Sequence, residues 1–398
     1  MQFKRSWPIG ETVEVLKRRW EALLNAPKSQ RGKLLRETDA RKINKAYSSL
    51  DDSGENLPAL ATLEPGTAPV TPTRSAYRSF DRYWVLRDNR LCDRPRPTLL
   101  RSESKCQIYL TSLLTKVLGE GPSAIVTALT PDLDHFCNRG AKDVIPLWED
   151  AARNKPNITH YLLDRLCNTY GHDISAEDFF AYCYAILFTP QYVTRFWDEL
   201  TIPGPRVPIT KGVALFEQAA SLGRKLIWLH TYGERCVPDG AQPGKMPPGK
   251  IRCKVGTPTT KEDYPEAFSY DVADQELHVG KGVFEHVRQE VWEFSVSGFE
   301  VVKSWLGYRM RNRAGKKSSP LDDIRPEVWQ FDEELLDLLW ILDHTVDLLP
   351  ELTAVFENIL ASNLFAATDF PQPTEAERQG PKAPARFQPT PLLEFGKR

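Results

Sequence analysis

Proline limits most strongly what this chain can form, because 31 of its 398 residues are proline and each one fixes φ at about −65° and removes a backbone donor. Residues 51–73 carry Gly54, Pro58, Pro65, Gly66, Pro69 and Pro72, which reads as a linker or an extended connection. The run Ile202-Pro-Gly-Pro-Arg-Val-Pro-Ile209 cannot be helical, and residues 237–262 read as a Pro/Gly/Lys-rich loop. The last 29 residues hold six prolines and few large aliphatic side chains, the composition of a disordered tail. These breaks predict a basic helical segment and linker over 1–73, a mixed lobe over 74–236, an antiparallel sheet with C-terminal helices over 237–366, and a disordered tail over 367–398.

Between the breaks, hydrophobic period sets the elements. Val15, Leu16, Trp20, Leu23 and Leu24 share one face of a helix over 12–24. Ser175-Ala-Glu-Asp178 opens a helix as a capping box, Thr189-Pro190 restarts one, and Leu215, Phe216, Ala219, Leu222, Leu226 and Leu229 line another that ends near His230. Tyr83–Leu86, Ser123–Leu129, Phe268–Val272, Glu276–Val279 and Val291–Val296 have strand character. Gly298 opens a helix carrying Phe299, Val302, Trp305 and Leu306, and two more helices follow at about 327–348 and 350–363. The fold class is α+β.

The formal net charge is only −1, so no global field draws the chain to a polyanion. Its distribution is uneven: residues 1–50 hold twelve Lys/Arg against five Asp/Glu, whereas 321–352 hold ten Asp/Glu against Arg325. Such asymmetry would orient the chain on DNA or against a basic partner, or it marks a solvated acidic helix. Cysteines 92, 106, 137, 167, 183, 236 and 253 form no CxxC pair and read as thiols of a reducing compartment. With no signal-peptide pattern and no bilayer-length apolar run, the expected location is the cytoplasm.

From Arg74 to Lys105, nine basic residues face four acidic ones, with Tyr77, Phe80, Tyr83 and Trp84 interleaved. Guanidinium forks with flat rings suit phosphate, guanine edges and base stacking. The same residues also allow an Arg/Asp ladder, since Asp81, Asp88 and Asp93 could pair locally. A second cluster, Lys303–Lys317, carries six cations and no acid. It offers either a DNA contact or charges that complement a helix C-terminus.

Tyr77-Arg-Ser-Phe-Asp-Arg-Tyr-Trp84 followed by Asp88-Asn-Arg-Leu-Cys-Asp-Arg-Pro-Arg-Pro97 resembles the entry segment of the C-terminal specificity domain of type ISP restriction-modification enzymes. Leu229-His-Thr-Tyr-Gly-Glu-Arg235, Gln289-Glu-Val-Trp-Glu-Phe294, Gly298-Phe-Glu-Val-Val-Lys-Ser-Trp-Leu306 and Ser319-Pro-Leu-Asp-Asp323 follow in the order of that family, over roughly residues 70–365. The resemblance implies target recognition in double-stranded DNA beside an adenine N6-methyltransferase module, supplied in trans or by a split gene, whose cofactor would be S-adenosylmethionine. The N-terminal helices would then be the tail of a lost methyltransferase domain or a docking surface for one, and the chain itself a separate subunit, a split product or a remnant. Arg78, Arg82, Arg87, Arg90, Arg94 and Arg96 are the candidate DNA contacts, Lys303, Arg309, Arg311 and Arg313 a second clamp across one groove, and Tyr77, Tyr83 and Trp84 the candidate stacking platforms.

No cofactor, metal or catalytic residue is expected in this chain. The only Pro-Pro pair, Met246-Pro-Pro-Gly249, lacks the polar and aromatic neighbours with which a methyltransferase holds a flipped base. Gly244-Lys-Met-Pro-Pro-Gly-Lys250 has P-loop spacing, but Ile251 replaces the magnesium-binding hydroxyl. Asp132, Asp134 and His135 form the nucleus of a rival reading, a metal-dependent nuclease or hydrolase. A protein-binding adaptor using the acidic helices is a third.

Overall fold

The computed structural model describes residues 1–51, 53–136, 143–313, 315 and 317–379. After β1 (Ile9–Gly10), the Thr12 hydroxyl accepts the Val15 N–H at 3.2 Å and opens α1 (Val13–Asn25), whose buried face is the expected one. α2 (Lys28–Leu35) stops at Arg36, which adopts a left-handed φ of 56°. β2 (Tyr47–Ser48) and β3 (Asn56–Leu57) pair antiparallel before the chain enters β4 (Thr73–Arg78) and β5 (Asp81–Val85). β1 pairs with β5, Ile9 opposite Val85, so the three-stranded order is β1-β5-β4 and the segment before residue 73 is stitched to the segment after it.

Beyond α3 (Pro97–Arg101), β6 (Tyr109–Ser112) lies between β7 (Ala124–Thr127) and β8 (Asp143–Pro146). Every residue of β6 and β7 is buried. Four helices follow: α4 (Leu162–Tyr170), which is not among the expected helices, α5 (Ala176–Phe188) behind the expected Ser175/Asp178 capping box, α6 (Pro190–Arg195) at the expected proline, and α7 (Val213–His230) after the extended 202–209 crossing. α5 and α7 meet backbone to backbone. A Cβ at Gly223 would stand 1.9 Å from the Ala181 carbonyl oxygen, which only glycine avoids.

The second sheet is antiparallel in the order β10-β11-β12-β9, built from β9 (Arg252–Val255), β10 (Phe268–Asp271), β11 (Glu276–Val279) and β12 (Gly282–Glu285). β9 falls inside the expected loop. All four of its residues are exposed, so it carries none of the apolar alternation by which strands announce themselves. The strand expected at 291–296 is instead α8 (Gln289–Trp292) and a short hairpin, β13 (Ser295–Val296) with β14 (Phe299–Glu300). Ser297 and Gly298 form its turn with φ of 47° and 78°, so Gly298 turns the hairpin and α9 (Val301–Arg309) begins after it.

The two helices expected around Pro350 are one, α10 (Asp332–Ala361). Proline removes a single backbone bond there, while Leu342, Thr345, Leu352, Val355 and Phe356 are buried on both sides of it and carry the helix through. The tail is ordered past 367: Phe370 packs on the core, α11 (Glu375–Arg378) forms, and the Glu377 carboxylate accepts the His160 N–H at 2.7 Å. Residues 380–398 of the expected disordered tail lie outside the described residues.

One apolar core runs from Phe80 to Ile359, so residues on either side of 236/237 share it. A smaller one gathers Trp7, Leu16, Trp20, Leu24, Leu60, Leu86 and Leu91 with Leu321.

Gly223→Ala is expected to cost about 3 kcal/mol by overpacking, read as a lowered urea midpoint with unchanged slope. The Glu377 carboxyl is held down at about 2 from an ordinary 4.5, first by the His160 N–H and then by the Thr374 N–H. Its depressed value means that the clasp is intact above pH 4.5 and is lost as pH falls toward 2. Limited proteolysis across that window should release the C-terminal segment, and Glu377→Gln should release it at neutral pH.

Candidate nucleic-acid interface

The arginine-rich stretch folds as the β4–β5 hairpin and the arm that leaves it. Ser79 and Phe80 form the turn, both buried, with Phe80 at φ 59°. The Tyr232 hydroxyl donates to the Phe80 carbonyl at 2.6 Å and the Ser79 hydroxyl to that of His135 at 3.0 Å. Next to the turn, Arg309 of α9 bonds Asp81 at 2.8 Å, with both side chains no more than 2% exposed. Its guanidinium lies 3.7 Å from the Trp305 ring centre and 4.9 Å from that of Tyr83. Burial opposes the charge on Arg309, but the attraction of Asp81, with Tyr83 and Glu334 behind it, outweighs burial and holds the group further into its charged form.

The two basic clusters therefore do come together, but through an internal bolt. This corrects the expected DNA-contacting role of Arg309. Arg78 and Arg90 are corrected for the same reason: Arg78 is buried against Asp132 at 2.9 Å and stacks on Tyr77, and Arg90 forks onto buried Asp88. Arg87 pairs with Glu103 at 2.7 Å. Arg82 stacks on Tyr232 at 3.5 Å with Glu234 beyond it at 3.9 Å. In the second cluster, Lys303 meets Glu300 at 2.5 Å, Arg311 meets Glu266 at 2.7 Å, and Arg313 lies 3.6 Å from Asp322. Lys317 pairs with Asp323, and Lys316 lies outside the described residues.

The expected stacking platforms differ in access. Tyr83 is 3% exposed and packs on Tyr77 at a centroid distance of 4.5 Å, so it is a core ring and not a base platform. Tyr77 is half-buried, its hydroxyl pushed up to about 12 chiefly by burial. Trp84 is half-buried beneath Arg74. Of the named arginines in the 74–97 stretch, Arg94 and Arg96 are exposed, with no carboxylate partner among the described residues. Lys4 and Arg36, which no local motif singled out, are exposed beside them; only the overall basicity of residues 1–50 pointed that way.

Three of the sequence blocks, those at 229–235, 289–294 and 298–306, converge on this hairpin. Tyr232 supports Arg82 and Phe80, Arg235 donates to the Gln107 and Ser104 carbonyls, Phe294 stacks edge-on against Phe80, and Trp305 lies under Arg309. Asp322 accepts the Ser318 and Ser319 N–H groups. Around the rival nuclease nucleus, the Asp132 carboxylate is engaged by Arg78, and His135 is buried with Nδ1 2.9 Å from the Thr111 hydroxyl. Burial, then Arg78, lowers His135 to about 3. No three His, Cys, Asp or Glu side chains among the described residues are grouped as metal ligands. The P-loop-like segment leads into β9, with Gly249 pressed under Trp340, where a nucleotide loop would open a helix.

Residues 1–339 match the family described as the type ISP C-terminal specificity domain. The match starts at residue 1, so the basic N-terminal helices belong to the matched unit. No curated protein matches the chain. Among solved structures, a cryo-electron microscopy DrdV–DNA complex is 17% identical with a TM-score of 0.56, covering 91% of this chain and 35% of that one. The ATP-dependent type ISP restriction-modification enzyme LlaBIII bound to DNA is 17% identical at TM-score 0.57, covering 87% and 22%. A nuclease-deletion mutant of the type ISP enzyme LlaGI with a DNA substrate mimic is 14% identical at TM-score 0.50, covering 87% and 26%. These likenesses show a shared fold, and this chain spans about a third or less of the length of each neighbour.

Arg309→Met leaves Asp81 buried without its partner, a carboxyl that burial already pushes up, and is expected to cost about 3–5 kcal/mol. Chemical denaturation of Asp81→Leu/Arg309→Met should return a large part of that loss. If the single and double variants are equally unstable, the ion pair is not what joins the hairpin to α9.

Proposed function

The chain belongs to the family of type ISP C-terminal specificity domains, and from that premise we propose that it recognises a target sequence in double-stranded DNA, as the specificity part of a bacterial restriction-modification system for phage defence. The reading is carried by one observation, a fold shared over about nine-tenths of the chain with enzymes solved on DNA. The catalytic work belongs to a methyltransferase module outside this sequence, with S-adenosylmethionine as its methyl donor. No helix among the described residues is long and apolar enough to cross a membrane, in keeping with action on cytoplasmic DNA.

Phosphate contacts would set the register of the chain on the duplex, and a few groove contacts or the shape of the DNA would supply the sequence. Half-buried Tyr77 and Trp84, together with Arg82, Arg87, Arg311 and Arg313, stay available to that task only by exchanging their present internal partners.

Selection from a pool of random duplexes tests this directly. The expected outcome is enrichment of one short motif, bound at least about 10³-fold more tightly than random duplex. A pool that stays random after repeated rounds, or no retention at low salt, removes target recognition. Affinity purification of the tagged chain from its native cell should also bring down a protein with an Asn/Asp-Pro-Pro-aromatic motif.

A further inference from the structure

Asp93 organises a knot of three chain segments that are distant in sequence. Its buried carboxylate accepts the Lys4 N–H at 2.8 Å and the Thr38 hydroxyl at 2.5 Å, and pairs with the equally buried Arg5 at 3.4 Å. Arg94 and Gln2 exchange backbone bonds of 3.2 and 3.3 Å beside it. Arg36, the left-handed cap of α2, stands two residues from Thr38. Arg5 is pulled below the ordinary arginine value by burial and, against the opposing effect of Asp93, by Arg41 and Arg36, which brings the charge of Arg36 within reach of the knot.

The consequence is a division of labour. Asp93 is consumed internally, while Lys4, Arg36, Arg94 and Arg96, on the segments it ties together or next to it in the chain, are exposed and without a carboxylate partner among the described residues. Exposed Asp39 is the neighbouring acid, and Glu37 is held by the Ile43 N–H at 2.7 Å. We propose that Lys4, Arg36, Arg94 and Arg96 form a ridge that binds the phosphodiester backbone of duplex DNA, with Asp93 as the residue that positions it. The inference rests on the DNA-recognition reading and assigns it a contact surface. Four cations, none of them held in a carboxylate ion pair among the described residues, would release counterions together, and the ridge takes any sequence because phosphate oxygens carry no base identity.

The test compares binding of a fixed duplex over a salt series by the wild-type chain and by Lys4→Gln/Arg36→Gln/Arg94→Gln/Arg96→Gln. A control of equal charge change, Lys155→Gln/Lys254→Gln/Lys261→Gln/Lys281→Gln, alters exposed lysines elsewhere. Thermal midpoints establish that all three fold alike. The ridge variant is expected to flatten the log–log slope by roughly 3.6, at about 0.9 per phosphate contact, and to weaken all duplexes alike, while the control keeps the wild-type slope. An unchanged slope in the ridge variant overturns the ridge and leaves DNA recognition standing. Equal losses in both variants reduce the effect to net charge and overturn it too. A wild-type chain without affinity for any duplex removes both readings at once.

Discussion

A buried ion pair between Asp81 and Arg309 joins the β4–β5 hairpin to α9. Both groups are sealed from solvent, and a buried pair of charges is tolerable only when geometry is close and each partner is satisfied. Here the geometry leaves little freedom. Arg309 is clasped by Asp81, approached by Glu334 at 3.8 Å, and laid on Trp305. Its Nε–H finds no acceptor, as is also true of Arg78 on Tyr77. In both, the guanidinium carbon lies over a ring face, an attraction of about 2 kcal/mol when desolvated. Any shift of α9 along the hairpin would strand a charge, so the pair works as a register pin.

Three sequence blocks, spread from 229 to 306, pack around the same short hairpin. Tyr232 and Phe294 brace Phe80 directly, and Trp305 reaches the hairpin through Arg309. A set of residues recognisable in order along the chain is therefore a set of joints. Such residues identify the family because the fold needs them, and they say less about where its ligand lies.

The same reasoning marks what could be read from sequence. Helix faces such as Val15 to Leu24 and caps such as Ser175 were legible because their signals lie within a turn or two of the residue concerned. The fate of each arginine was not. An arginine interleaved with aromatic rings is one pattern whether the ring belongs to the protein or to a base, and the deciding carboxylates come from far away: Asp132 for Arg78, Glu103 for Arg87, Glu334 for Arg74. Asp88 with Arg90 is the exception, a local ladder that two residues of spacing already allowed. β9 and the helix through Pro350 were hidden for complementary reasons, one a strand without apolar alternation and the other a helix that buried neighbours sustain through its breaker.

Counting charges along a chain therefore overstates what its surface presents. Of the twelve basic residues before position 51, Arg5, Arg19, Arg31 and Arg41 are buried. They are spent largely on carbonyl oxygens: Arg19 on those of Trp7, Ile9 and Ile324, and Arg31 on those of Leu24, Ala26, Leu60 and Leu63. A guanidinium can close several loop ends at once because its five donors are fixed in one plane. The buried arginines thus fasten irregular backbone that no sheet or helix would hold. Rigidity gained inside is then available outside, because a cation on a fixed loop loses less conformational freedom on meeting a phosphate than one on a mobile tail. In the proposed ridge, internal arginines that never touch DNA would in this way set the affinity of the external cations.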